Sequence, residues 1–302
     1  MEAHVIAQSV SKNLIGNVLM NGGVIIFAAA SLNNTLLTPL TGSTARVVTN
    51  LAVAMFLWYL NRRRRSVQSS ISLWGRNRPY LWIWGCLGTV TIVCFFQAAS
   101  ASGVGVANFM LAASGSLLAL VSPFALGQRL NKTSAILAIV CLGGAAMLAG
   151  GLSGILQNTG PLWGIGSCVA AALAYYIVGQ KLKDESVVCL MFYWSLVNCM
   201  VHLGLNLSHP ITWPNELSTW RSIILSGLLA SFGQYWVNSS FQDGDPSILG
   251  VVSYLSCVVA LVFDAMILSH SFTHTQYLGA AILSIAGGLA TYLNARKMEH
   301  FG

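Results

Sequence analysis

The chain has 302 residues, of which 55% are apolar and only 8% charged, with a net charge of +7 and a mean hydropathy of +0.69. Soluble domains carry charge at about a quarter of their positions, so this composition excludes a water-soluble enzyme. A helix crossing the hydrocarbon core needs roughly 20 apolar residues, and such stretches recur along the whole sequence, separated by short polar breaks.

Ten spans are predicted, at residues 14–31, 43–60, 80–97, 104–126, 134–151, 162–178, 187–205, 223–240, 247–268 and 277–293. The first follows a single basic residue, Lys12, carries Asn17 and Asn21, and is expected to act as the chain's own targeting signal with no separate cleavable leader. The second holds Arg46 and Asn50 and runs into the arginines from Arg62 to Arg65. The link 61–79 contains six arginines and is read as a cytoplasmic loop that sets topology and touches anionic lipid. The third span ends at Gln97, and the fourth contains Asn108 and Ser114. The fifth is continuously apolar and small from Ala135 to Met147, unlike the alternation of a membrane β-strand. The sixth carries Tyr175 and Tyr176, the eighth Gln234, Tyr235 and Asn238, and the ninth Ser253, Tyr254 and Asp264.

With ten spans and an internal N-terminus, thirteen of the fifteen Lys and Arg residues fall on one side, leaving only Arg46 and Arg221 toward the other. The positive-inside rule then puts both termini in the cytoplasm. Trp82, Trp84, Trp163 and Trp220 lie near span ends, where interfacial aromatics are expected. The seven cysteines all fall inside spans without paired spacing and read as small core residues.

Residues 103–144 laid over 245–286 pair Ser114 with Ser256, Leu126 with Leu268, Thr133 with Thr275 and Ala138 with Ala280. The expected organisation is all-α and membrane-integral, two five-helix repeats at 1–152 and 153–302. Five helices per copy force the copies to run in opposite directions, the inverted-repeat plan of secondary transporters.

The turn Leu126-Gly127-Gln128-Arg129-Leu130 and its counterpart Leu268-Ser269-His270, each followed by a small-residue helix, resemble the drug/metabolite transporter superfamily and its ten-helix exporters. The resemblance covers almost the whole chain. Gln128 and His270 stand where most members have glutamate. Gln128 and the stretch Val252-Ser253-Tyr254 look more like the aromatic amino-acid exporter branch, and Arg46 matches an arginine common early in the second helix. The resemblance implies a central cavity lined by helices one, three, four, six, eight and nine.

Asp264 is the only acidic residue deep inside a span, where a carboxylate costs roughly 2.5–3.5 kcal/mol on insertion scales. It is read either as a coupling site for a proton or cation or as a hydrogen-bonded anchor, with Arg46 at comparable depth as its partner in an outer gate. Intramembrane amides must face other helices or a cavity. Read with the cavity helices, Asn21, Gln97, Asn108, Tyr175, Gln234, Asn238 and Tyr254 are the expected substrate contacts. Tyrosines with amides suit a neutral or zwitterionic solute such as an amino acid better than a polyanion.

Gly143-Gly144, Gly150-Gly151, Gly279 and Gly287-Gly288 permit close helix packing and, in helices five and ten, self-association. His270 and His274 have metal-ligand spacing but lie in a turn, and neither a metal nor another cofactor is expected. The phosphate-binding loop of ATP-driven machines is absent from the sequence, and paired intramembrane acids for hydrolysis are lacking too. The reading is a multi-pass inner-membrane secondary transporter, an exporter driven by a proton gradient or by solute exchange. A receptor or scaffold without flux is the alternative, and an intramembrane enzyme the more remote one.

Overall fold

The computed structural model describes residues 2–33, 37–64, 72–125, 132–148, 159–211, 213–243, 261–262, 265–266 and 272–299. Among these residues the long elements are nine α-helices, and no strand occurs. They are α1 Glu2–Asn33, α2 Pro39–Arg64, α3 Arg78–Ser102, α4 Val104–Ala125, α5 Lys132–Leu148, α6 Thr159–Lys181, α7 Val187–Ser208, α8 Leu217–Asp243 and α9 His274–Glu299. Helix is what a bilayer dictates, because no water there can satisfy a free backbone N–H or C=O. Four of the nine, α2, α3, α6 and α7, are long and apolar enough to cross a membrane by length and composition. Shorter apolar stretches at Val104–Gly115 and Ala135–Leu148 add to them. Eight of the predicted spans lie on α1 to α8 in order and the tenth on α9. The ninth falls almost wholly outside the described residues, apart from helical pieces at 261–262 and 265–266.

Local signals explain several ends. Ser186 caps α7, its hydroxyl accepting from the Cys189 N–H at 3.1 Å. Pro79 sits in the first turn of α3, where its missing N–H costs nothing. Between α3 and α4 the chain reverses in one residue, Gly103, at a φ of 88° that a side chain would strain.

The burial pattern inverts that of a soluble protein. Large apolar side chains such as Ile136, Ile139, Leu162, Met200 and Leu203 are exposed on the perimeter, while Thr41, Asn50, Asn198, Gln234 and Asn238 are buried. One apolar core is shared by α1, α2, α3, α4, α6, α7 and α8, and a second joins α4, α5, α6 and α9. Helix α1 runs along α8 and α3 along α6. Helix α7 packs on both α2 and α3, α2 also packs on α8, and α5 pairs with α9. Lipid gives helices no hydrophobic reason to associate, so close backbone approach through small residues carries the contact. A side chain on Gly16 of α1 would come within 2.7 Å of the Gly233 carbonyl oxygen of α8, and one on Gly23 would collide with that of Ser226. Gly144 and Gly279 face each other in the same way within one chain, between α5 and α9.

Replacing Gly16 with Leu forces α1 off α8. Overpacking of this kind costs about 1–3 kcal/mol, so Gly16→Leu is expected to lower the thermal midpoint of the detergent-purified protein by several degrees. Gly22→Leu, at a position with nothing within 4 Å, is expected to leave it unchanged.

Candidate functional site

Seven helices, α1 to α4 and α6 to α8, converge on a cavity of about 50 Å³. That is room for a few water molecules, each needing roughly 10–15 Å³. Tyr175, Gln234 and Asn238 of the expected substrate contacts line it, and so does Arg46. Arg46 is buried in the third turn of α2, its guanidinium carbon 5.9 Å from the centroid of the Trp194 ring. The arginine Nε has no hydrogen-bond partner, and neither has Nδ2 of Asn238. Among the described residues no carboxylate stands within ion-pairing distance of Arg46. Tyr175 is held by a parallel stack on Phe241, with ring centroids 4.2 Å apart and planes 7° apart.

The remaining expected contacts distribute differently. Gln97 lines a second pocket of about 520 Å³, with Ser43, Phe96 and His209. Asn108 is buried in α4, its amide donating to the Val104 carbonyl at 3.0 Å, one turn from the cavity residue Leu111. Asn21 lies on α1, with its side chain outside the description. Tyr254, Asp264 and His270 lie outside the described residues, so the Arg46–Asp264 pair is not placed.

Sequence reasoning missed several groups. Trp84, expected at an interface, is instead buried against the cavity and donates its indole N–H to the Leu190 carbonyl at 3.0 Å. Trp82 and Trp163 are exposed as expected. His202 is buried in α7, its Nδ1 2.9 Å from the Asn198 carbonyl oxygen and its Nε2 2.9 Å from the Ser43 hydroxyl. Deeper on the same two helices the Asn50 amide donates to the Ser195 hydroxyl at 2.7 Å. An i, i+7 pattern of polar residues, Ser43 with Asn50 and Ser195 with His202, was the available signal.

The two ends of the bundle differ. At one end the α2–α3 link is tied to the α6–α7 link. Oε1 of Glu185 accepts from the backbone N–H groups of Arg76 and Asn77, each at 2.7 Å, and the Asn77 amide donates to the Lys181 carbonyl at 3.1 Å. Gln242 of α8 donates to the carbonyls of Leu182 and Glu185 at 3.1 and 2.6 Å, and the Tyr193 hydroxyl donates to the Trp74 carbonyl at 3.1 Å. At the opposite end the α1–α2 and α7–α8 links border the 520 Å³ pocket. Ser43 lines that pocket and Arg46 the inner cavity, so the two spaces are one helical turn apart along α2.

Comparison with known proteins agrees with this architecture. Residues 158–292 match the EamA-like transporter family. The pseudopaline exporter CntI of Pseudomonas aeruginosa strain UCBPP-PA14 is 24% identical over 254 residues, covering 82% of this chain and 86% of that protein. The pseudopaline exporter CntI of strain PAO1 is 23% identical over 259 residues with the same coverage. One crystal structure shares the fold, with a TM-score of 0.73 and 17% identity over 97% of this chain and 99% of its own. Residues 158–292 therefore carry an EamA-like transporter domain, and the chain around them is homologous along most of its length to a metabolite exporter.

Proposed function

We propose that the protein is a secondary transporter that exports a small neutral or zwitterionic metabolite across the inner membrane by alternating access. Its ten spans form two inverted halves, 1–152 and 153–302, with both termini cytoplasmic. The packing supports the halves. Shifting each helix by five spans turns the α1–α8 contact into the α6–α3 contact, the α2–α8 contact into α7–α3, and α2–α3 into α7–α8. It leaves the α2–α7 and α5–α9 pairs unchanged.

The observation that carries the transport cycle is the difference between the ends. Under the same shift, the tied α2–α3 and α6–α7 links correspond to the α7–α8 and α1–α2 links around the 520 Å³ pocket. Equivalent elements are closed at one end and parted at the other, as alternating access requires of two such halves. Lys12, Arg62, Arg63, Arg76, Arg78, Lys181 and Lys183 gather toward the tied end, which supports its assignment to the cytoplasm and contact of the arginine run with anionic lipid. This state faces outward. Tyr175, Gln234 and Asn238 form the inner part of the substrate site, Gln97 meets the solute on its way out, and Asn21, Asn108 and Tyr254 are the further contacts proposed from the sequence. The exporter relatives support the direction of transport. Asp264, the lone acidic residue deep in a span, is the coupling group.

Two outcomes check this reading. With Cys189 as the only cysteine, Glu185→Ala removes the acceptor of two backbone donors. Bonds to a charged group are worth about 1.5–3 kcal/mol, so Cys189, fully buried and bonded to the Leu73 carbonyl, is expected to react with a water-soluble maleimide about tenfold faster. Unchanged labelling would remove Glu185 from the seal. In proteoliposomes, saturable counterflow of at least one member of an amino-acid and metabolite panel is expected, with its dependence on the pH gradient abolished in Asp264→Asn. Flux with intact pH dependence in that variant would rule Asp264 out as the coupling group.

A further inference from the structure

Arg46 lies in the third turn of α2, buried, with its Nε unbonded and no carboxylate of the described residues beside it. A basic residue at membrane depth normally finds an anion or a water-filled space, because holding its charge in a low-dielectric surround is costly. Here it faces a cavity that holds a second unbonded donor, Nδ2 of Asn238, which is almost fully buried. An unmatched buried donor costs about 1–3 kcal/mol, and two around one cavity make a site deficient in acceptors. The Trp194 face engages the cation but accepts no conventional hydrogen bond. Trp84 is already committed to the Leu190 carbonyl.

We infer that Arg46 is the anion-recognising residue of the central site, and that the transported solute carries a carboxylate which binds between Arg46 and Asn238. The inference deepens the transport reading and rests on it for the word transported. One cation flanked by the neutral side chains of Asn238, Gln234 and Tyr175 matches the single charge of a carboxylate, whereas a phosphate ester carries more charge than one arginine balances. The cavity, with room for a few water molecules, is of the size of that group. The rest of the solute lies toward the larger pocket, which begins one turn away at Ser43. Trp84 and Trp194 give the site flat apolar walls and a native fluorescence reporter.

The test measures tryptophan fluorescence and thermal midpoint of the purified full-length protein against matched acids and amides. The probes are benzoate and benzamide, indole-3-acetate and indole-3-acetamide, and N-acetyl-L-phenylalanine and its amide. The parent is expected to bind at least one acid roughly thirtyfold more tightly than its amide, the preference expected when a buried charge pair is completed. Arg46→Gln should bind acid and amide alike, Arg46→Lys should keep part of the preference, and Asn238→Ala should weaken the acid more than the amide. Should Arg46→Gln fail to elute as a single species, the Arg46→Lys and Asn238→Ala results decide. The inference is overturned if acid and amide bind the parent equally, if Arg46→Gln keeps the full preference, or if no acid binds. Parallel proteoliposome flux separates the two ideas. Acid preference without flux removes the transport reading and leaves the site, while flux of solutes lacking a carboxylate, without acid preference, does the reverse.

Discussion

Everything in this structure follows from one constraint: inside a bilayer a polar atom can be satisfied only by another part of the protein or by water that the protein admits. The backbone answers it with helices. Side chains answer it differently from place to place. Between α2 and α7, Asn50 meets Ser195 and Ser43 meets His202, so these groups close on each other and hold two helices together. Around the central cavity the same kinds of group stay open, with Arg46 and Asn238 presenting unbonded nitrogens. The seam keeps an unbonded acceptor, the Asn50 carbonyl oxygen, whereas the unbonded groups at the cavity are both donors.

Much of the fold is legible in the sequence because hydropathy and helix length are set by bilayer thickness. The fourth span was expected at 104–126 and α4 is Val104–Ala125. The small, uninterrupted fifth span and the apolar runs of the sixth and seventh are equally direct. Tyr175, Gln234 and Asn238 were legible as candidates because an amide or phenol at membrane depth turns to another helix or to a cavity, and here all three line the cavity.

What was not legible depends on rotation about the helix axis and on distant contacts. Trp82 and Trp84 look equivalent in sequence, yet two residues turn a helix by about 200°, so one is 41% exposed and the other 3%. Arg46 was read as an outer gate from its place early in a span, and only the packing of seven helices shows that the cavity reaches it. Glu185 acts on backbone N–H groups more than a hundred residues earlier in the chain, a relation that no local pattern encodes.

The single residue between α3 and α4 bears on how such a molecule can move. Gly103 is the whole connection, so the adjoining ends of the two helices cannot part. The arm α3 supplies Gly88, Ile92 and Phe95 to the central cavity, while α4 adds Leu111 and continues into the second apolar cluster with α5 and α9. A displacement of α3 at that end therefore draws the adjoining end of α4 with it, toward the far side of the bundle. The volume needed for passage would come from sliding at that distant contact as much as from the cavity walls.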